Sequence, residues 1–373
     1  MKKRIICFIT ALSLALMCSC NNKKNKGELP TSSSDTKYIN LVYNKFDGGR
    51  LFSDNPKMYI DYNTMERTPL CSKPNCTHNT GECPGKVMGE CPMVTDDGIY
   101  FFVYNDGVNE LKNGEREHYM KSRLCRISLD SAEMEEITSF TDCVPHDYDG
   151  VLLYDNKIYF TGTDLNPTED TYGYINVSNV GGNQFFCSID LETGEYKNYG
   201  CIYDMDQLSE NGKNDNSASV KGIYNSKIYI EYRYVDSTNI KDENGIPIVT
   251  SLMFEFDPET QQIMPSSLPK PLNFLDNETY IYHDEKSEKT VVMEKNKKKE
   301  YDISLKDNLS FLNNKFFCND KCYDMNDMSV YNMPDKYESF WAIDYYDGYY
   351  ILVLGNETVK LTEEELLALD KEE

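Results

Sequence analysis

The chain has few of the side chains from which most catalytic sites are built. Its 373 residues include 4 histidines and 1 tryptophan, and 38 basic side chains stand against 62 acidic ones, a formal net charge of −24. That balance repels phosphate backbones and excludes nucleic acid as a partner. It also argues against electrostatic docking on anionic lipid. There is no Gly-x-Ser-x-Gly elbow, no Gly-x4-Gly-Lys-Ser/Thr loop, no Gly-x-Gly-x-x-Gly and no His-Glu-x-x-His. A Cys-x-x-Cys-His haem attachment and an EF-hand loop are missing as well. Helical periodicity is absent until the last residues, and the one apolar run, Ile5 to Met17, is too short to span a bilayer as a mature helix.

That run follows Lys2-Lys3-Arg4 and precedes Cys18-Ser19-Cys20-Asn21-Asn22, the layout of a secretory signal. The context Met17-Cys18-Ser19-Cys20 resembles the lipobox of bacterial lipoproteins, with a small residue before the cysteine that is diacylated. The resemblance implies lipidation at Cys20; Cys18 is the alternative, with the larger Met17 before it. Residues 1–19 then form a lipoprotein signal peptide. Residues 20–37, polar and rich in Lys, Ser and Gly, read as a lipid-anchored tether that cannot bury a core. Residues 38–373 read as one domain, held at the outer side of the cell membrane through the N-terminal lipid alone.

What the remaining chain does contain is a repeat. A two-residue turn followed by an aromatic strand recurs as Asp97-Gly98-Ile99-Tyr100, Asn156-Lys157-Ile158-Tyr159, Ser226-Lys227-Ile228-Tyr229, Asn277-Glu278-Thr279-Tyr280, Asn314-Lys315-Phe316-Phe317 and Asp347-Gly348-Tyr349-Tyr350. Asn, Asp and Gly tolerate the positive φ of tight hairpins, and the aromatics suit a half-buried pleated surface. A second half-unit follows most of these: a strand, an acidic turn and another strand, as in Phe186 to Leu191 with Glu192-Thr193-Gly194-Glu195. Met58 to Glu66 reads as the same half-unit near the N-terminus. The pattern predicts an all-β propeller of four-stranded antiparallel blades, seven favoured and six the alternative, with a β-sandwich of hairpins as the competing fold. The first unit looks incomplete and the last has three strands, so the two are expected to combine in closing the ring. Thr362-Glu363-Glu364-Glu365 matches a capping box and predicts a short C-terminal helix packed under the ring.

In such a blade the short turns share one face, and the insertions collect on the other. These are Asn105 to Lys121, Asp164 to Gln184, Asp204 to Ser219 and Asp236 to Thr250. Loops of that length are functional or disordered. Disorder is the reading for 209–219, while Tyr172, Tyr174 and Phe185 are candidate binding residues. His146, between Pro145 and Asp147 in a link on the same face, joins them; His118 and His283 read as solvated. The sharpest local feature is Cys71, Cys76, His78 and Cys83, three thiols and an imidazole able to surround a structural zinc. Disulfides among Cys71, Cys76, Cys83 and Cys91 are the alternative in an exported protein. Cys318–Cys322 and Cys187–Cys201 are further pairs, and Cys125 and Cys187 otherwise read as small buried apolar residues.

Taken together, the lipobox, the tether, the Asn/Asp-x-Ile-Tyr strands and the Asp-x-x-Thr-Gly-Glu turns resemble β-propeller lipoproteins of unknown function from Gram-positive, clostridial-type anaerobes. These are described by analogy with TolB-like and low-density-lipoprotein-receptor-like propellers. Pro69 to His78 is the most family-specific stretch, whereas the receptor-type Tyr-Trp-Thr-Asp motif is absent. The resemblance transfers no catalytic residue. A rigid ring with variable loops and a sparse inventory of catalytic side chains read as a monomeric, non-catalytic propeller that binds a protein, peptide or glycan through its loop-rich face. The alternatives are a carbohydrate-active hydrolase or lyase and, more remotely, a metal-handling or redox lipoprotein.

Overall fold

Four of the six repeats turn through two-residue hairpins, three of them one residue before the marked pair, while Gly98 is already strand opposite Thr95 and Asn277-Glu278 lie in a longer turn. Asp155-Asn156 have φ of 49° and 58°, Asn225-Ser226 49° and 59°, Asn313-Asn314 47° and 58°, and Asp347-Gly348 48° and 82°. Two successive positive φ values define the turn whose twist matches a right-twisted antiparallel pair, which is why Asn, Asp and Gly occupy it. The acidic turns are held differently. The Asp190 carboxylate accepts from the N–H groups of Glu192 and Thr193, both at 3.0 Å, and Asp257 does the same for Glu259 and Thr260.

Strands joined by these turns make seven small antiparallel sheets, the blades of a seven-bladed propeller in this computed structural model. It describes most of residues 38–367; outside the description lie 1–37, 165–167, 170–174, 177–181, 205–207, 209–215, 236–248, 303–308, 334–341, 368–373 and some shorter stretches. Blade 1 comprises Lys45–Phe46, Gly49–Phe52, Met58–Asp61 and Arg67–Pro69. Blade 2 comprises Glu90–Thr95, Gly98–Glu110, Arg116–Ile127 and Met134–Phe140. Blade 3 is Val151–Tyr154, Lys157–Thr163, Gln184–Asp190 and Tyr196–Cys201, and blade 4 is Asn216–Tyr224, Lys227–Val235, Val249–Asp257 and Gln262–Pro265. Blade 5 is Pro271–Phe274, Thr279–Asp284, Lys289–Glu294 and Lys297–Tyr301. Blade 6 is Leu309–Leu312, Lys315–Cys318, Lys321–Asp324 and Val330–Asn332. Blade 7 has three strands, Ala342–Tyr346, Tyr349–Leu354 and Glu357–Leu361.

First strands of successive blades touch, as in blades 3 to 5 and 6 to 7, so they ring the axis. The apolar cores lie between blades. Phe186 and Tyr159 of blade 3 pack on Phe256 of blade 4, while Phe160 and Cys187 of blade 3 pack on Phe102 and Phe140 of blade 2. Stacked pairs such as Phe140–Tyr196, with ring centroids 4.1 Å apart, fill these seams.

The path of the ends differs from the sequence-based expectation. Blade 1 is complete by itself, and among the described residues no N-terminal strand joins blade 7. Instead Tyr38–Asn40 pairs antiparallel with Val151–Tyr154 on the free edge of blade 3. The predicted loop from Asn105 to Lys121 is largely a regular hairpin, with Asn105 opposite Lys121 and Glu110 opposite Arg116. Residues 216–219 are strand rather than disordered link. The capping box forms as predicted: Thr362 N–H donates to Glu365 at 2.8 Å and Glu365 N–H to Thr362 Oγ1 at 3.1 Å. That backbone donor holds the Glu365 carboxyl below its usual range. Leu366 of the helix Glu363–Leu367 is buried, and Glu363 binds Lys315 of blade 6 at 3.0 Å beside the short turns.

Blades 1 and 7 therefore meet through side chains. Arg50 of blade 1 places Nε and Nη2 at 3.0 and 2.8 Å from one Asp344 oxygen of blade 7, and the Tyr62 hydroxyl donates to that same oxygen. All three side chains are fully buried. Burial, and then the neighbouring carboxylate, push the Tyr62 hydroxyl up, so it stays protonated as a donor. Burial alone would lower the Arg50 guanidinium, yet Asp344 beside it raises it on balance. Phe52, Ile60, Tyr62, Ile351 and Val353 form the apolar part of the seam. Removing one member of a buried pair strands a charge. Asp344→Ala should therefore lower stability by about 3–5 kcal/mol in urea unfolding, and an Arg50→Met, Asp344→Leu double variant should recover most of the loss.

Candidate functional site

The short turns define one face, and the links between blades with the insertions define the opposite, loop-rich face. His146 belongs to the link from blade 2 to blade 3. Gly162 is what lets that link lie flat on the second strand of blade 3: a Cβ there would stand 2.3 Å from Cys143 Sγ and 2.4 Å from the Val144 carbonyl oxygen. Val144–Pro145 accordingly pairs with Gly162 and Thr163, which delivers His146 over the strand end. Its N–H donates to the Thr161 carbonyl at 3.0 Å, and its own carbonyl accepts from Cys91 Sγ at 3.4 Å. The ring Nε2 lies 2.6 Å from Gln184 Oε1. His146 is 8% exposed and Gln184 fully buried. The contact fixes the orientation of the imidazole ring over the strand end.

Gln184 opens the third strand of blade 3 directly after the long insertion. The insertion has a closed neck: Asp164 accepts from Asn183 N–H at 2.7 Å and from its Nδ2 at 2.6 Å, and Asp164 N–H donates to the Asn183 carbonyl at 3.1 Å. Gln184 carries no sequence signal, since a lone glutamine after a polar loop looks like surface. Of the other predicted binding residues, Tyr172 and Tyr174 lie outside the described residues. Phe185 sits in the strand opposite Gly162, packed against the core between blades 2 and 3, rather than in a loop.

The link from blade 1 to blade 2 brings together the predicted metal ligands. Cys71, Cys76, His78 and Cys83 each offer a ligand atom, all within 4.8 Å of one another, and Cys83 is fully buried. Cys83 Sγ stands 3.6 Å from His78 Nδ1. The short helix Pro84–Val87 anchors the cluster, because the Gly85 carbonyl accepts from Lys57 N–H at 2.8 Å on the neighbouring turn of blade 1. His78 has a φ of 57°, a conformation rare outside Gly, Asn and Asp and one that a surrounding structure must hold. This set of donors fits a metal ion. Cys83, Cys187, Cys201 and Cys322 are free thiols, so no bridge joins Cys187 to Cys201. Cys91 stands apart from the cluster, on the His146 carbonyl.

A third polar centre escaped the sequence. Glu231, in the second strand of blade 4 and buried against blade 5, collects Arg233 at 2.8 Å, Lys221 at 3.1 Å and Lys270 at 3.6 Å, and accepts from Ser251 Oγ at 2.6 Å. Its cations are spread over 50 positions of chain and meet only in the fold. Burial opposes ionisation, but Lys221 first and then Arg233 and Ser251 hold the carboxyl down at about 2. His283, predicted to be solvated, is largely buried and lies 3.6 Å from Glu288. The side chain of His118 is outside the description.

No family model and no curated protein sequence matches the chain. Among solved structures, an oligogalacturonate lyase from Vibrio parahaemolyticus aligns over 87% of this chain and 78% of its own, at 9% identity and a TM-score of 0.36. A polysaccharide lyase, the PL25 ulvan lyase, aligns over 90% and 83%, at 10% identity and a TM-score of 0.38. TolB from Acinetobacter baumannii aligns over 76% of each chain, at 10% identity and a TM-score of 0.23. At these values the likeness concerns the fold. It still corrects the expectation of a non-catalytic binder that is not an enzyme. One of the three is named as an oligogalacturonate lyase and one as a polysaccharide lyase.

The Glu231 cluster has a measurable signature. Its folded value lies below the ordinary 4.5, so it contributes stability that is complete above about pH 4.5 and lost as pH falls toward 2. Glu231→Gln should cost on the order of 2 kcal/mol at neutral pH. In thermal melts, the same variant should flatten the decline of stability between those two pH values.

Proposed function

We propose that the chain is a carbohydrate-active enzyme that cleaves a polysaccharide on the loop-rich face of its propeller. The observation that carries this reading is the buried His146–Gln184 pair at the root of the largest insertion of blade 3. An imidazole held by a buried amide has a fixed orientation, and histidine is the side chain most often used as a general base. Thr161 and Cys91 fix its backbone and Gln184 its ring, so little reorganisation accompanies proton transfer. In a lyase the base removes the proton beside a uronate carboxylate. The electron pair forms the ring double bond, and the glycosidic oxygen departs with a proton. In a hydrolase it activates water. Acidic polysaccharides, the class named in two of the neighbours, come first in the test.

The test is a panel of uronate-containing and neutral polysaccharides. Ultraviolet absorbance of unsaturated ends reads the lyase route, and new reducing ends without that absorbance read the hydrolase route. His146→Ala should lower turnover by about 10²-fold or more in protein that still unfolds cooperatively, with a melting temperature lowered by the loss of a buried partner for Gln184. Folded protein that cleaves no member of the panel, or His146→Ala with full activity, sinks the reading.

We further propose that Cys71, Cys76, His78 and Cys83 hold a structural zinc. Donor atoms around one tetrahedral zinc sit about 3.5–4 Å apart, and the His78–Cys83 separation of 3.6 Å already matches. Four protein ligands leave no coordination position for substrate, so the ion's part is to order the link above blades 1 and 2. Protein purified without oxygen should carry one zinc by native mass spectrometry. Cys83→Ser should lose it, and chelation should lower the melting temperature. A mass reduced by two hydrogens per bridge, without zinc, contradicts the proposal.

A further inference from the structure

The placement of Tyr38–Asn40 has a consequence for the whole ring. First strands line the axis, and the edge of Val151–Tyr154 that does not pair with Lys157–Thr163 points into the channel. Left bare, that edge presents unpaired N–H and C=O groups to whatever enters. Tyr38–Asn40 covers it, with Tyr38 opposite Tyr154, Ile39 opposite Leu153 and Asn40 opposite Leu152. The added strand also touches Asn216–Tyr224, the first strand of blade 4. It therefore lies inside the ring rather than on its rim.

Its direction follows from the pairing. Val151–Tyr154 runs from the loop-rich face toward the Asp155-Asn156 turn on the short-turn face. An antiparallel partner runs the other way, entering beside that turn and leaving among the loops. Only four residues separate Asn40 from Lys45, where the first strand of blade 1 starts back from the loop-rich face. Asn40 and Lys45 thus both lie toward the loop-rich face.

We propose that residues 38–40 are an axial strap, a segment of the chain bound in cis by strand addition to the inner edge of blade 3. Two consequences follow. The channel does not admit a threaded polymer, so a long glycan is handled across the loop-rich face. Tyr38, the first residue of the strap, lies toward the short-turn face, away from His146. The inference rests on backbone pairing and is independent of the catalytic reading.

Hydrogen exchange on the full chain and on a variant lacking residues 1–41 tests it. Amides of Val151–Tyr154 that face the strap should exchange about tenfold faster or more in the truncated protein, the effect of one lost hydrogen bond. Amides facing Lys157–Thr163 should keep their rates. Unchanged exchange at all four residues overturns the proposal. Should truncation unfold the protein, cysteine pairs in the full chain decide. Ile39→Cys with Leu153→Cys should form a reducible bridge on mild oxidation, mapped by peptide mass spectrometry. Ile39→Cys with Ser310→Cys, across the ring on blade 6, should not. Equal bridging of both pairs, or none at position 153, removes the strap.

Discussion

A ring of blades stands or falls on the contact between its last blade and its first. Here that contact is a buried carboxylate, Asp344, gripped by Arg50 and Tyr62 at a seam where the two blades share no strand. Each remaining interface joins blades that follow directly in the chain, so it forms between neighbours. The Arg50–Asp344 contact spans 294 positions and the adjoining Lys360–Tyr62 contact 298, the widest hydrogen-bond separations among the described residues. Non-local contacts bear the largest chain-closure cost, and a buried ion pair has little net strength without further hydrogen bonds. The Tyr62 donor, the Lys360 ammonium on the Tyr62 carbonyl at 3.0 Å and the apolar side chains around them supply that support.

The repeat was legible because local chemistry and global fold agree. Asn313-Asn314 and Asp347-Gly348 turn tightly by their own preferences, and the Tyr and Phe residues after them fill the spaces between blades. The capping box at Thr362 was equally local. The closure was not legible, because nothing in Arg50 or Asp344 distinguishes them from surface charges until the ends of the ring are brought together. The same holds for Gln184 and Glu231, whose partners lie 38 and up to 39 positions away. The cysteine cluster was legible as a group able to hold a metal since its four members fall within one link. The roles of Tyr38–Asn40 and of Phe185 were missed for a common reason: a strand in the channel and a strand at the root of a loop look alike in composition.

His146 shows how the scaffold prepares a side chain for use. A glycine at 162 lets a link approach, two backbone hydrogen bonds fix its height, and a glutamine fixes the ring's orientation. The zinc-type cluster does comparable work one link earlier, and Cys91 on the His146 carbonyl connects the two links. The cysteine content and the lone histidine, separate observations in the sequence, thus belong to one stretch of the same face.

The neck formed by Asp164 and Asn183 separates two properties that proteins often have to trade. Its hydrogen bonds close the insertion at the level of the blade, so the strands of blade 3 are pinned at both ends of it. Between pinned ends, each doubling of chain length adds only about 0.6 kcal/mol of closure cost. A change of length beyond the neck therefore asks little of the blade beneath. Selection on what the loop-rich face recognises and selection on the integrity of the ring act on different residues.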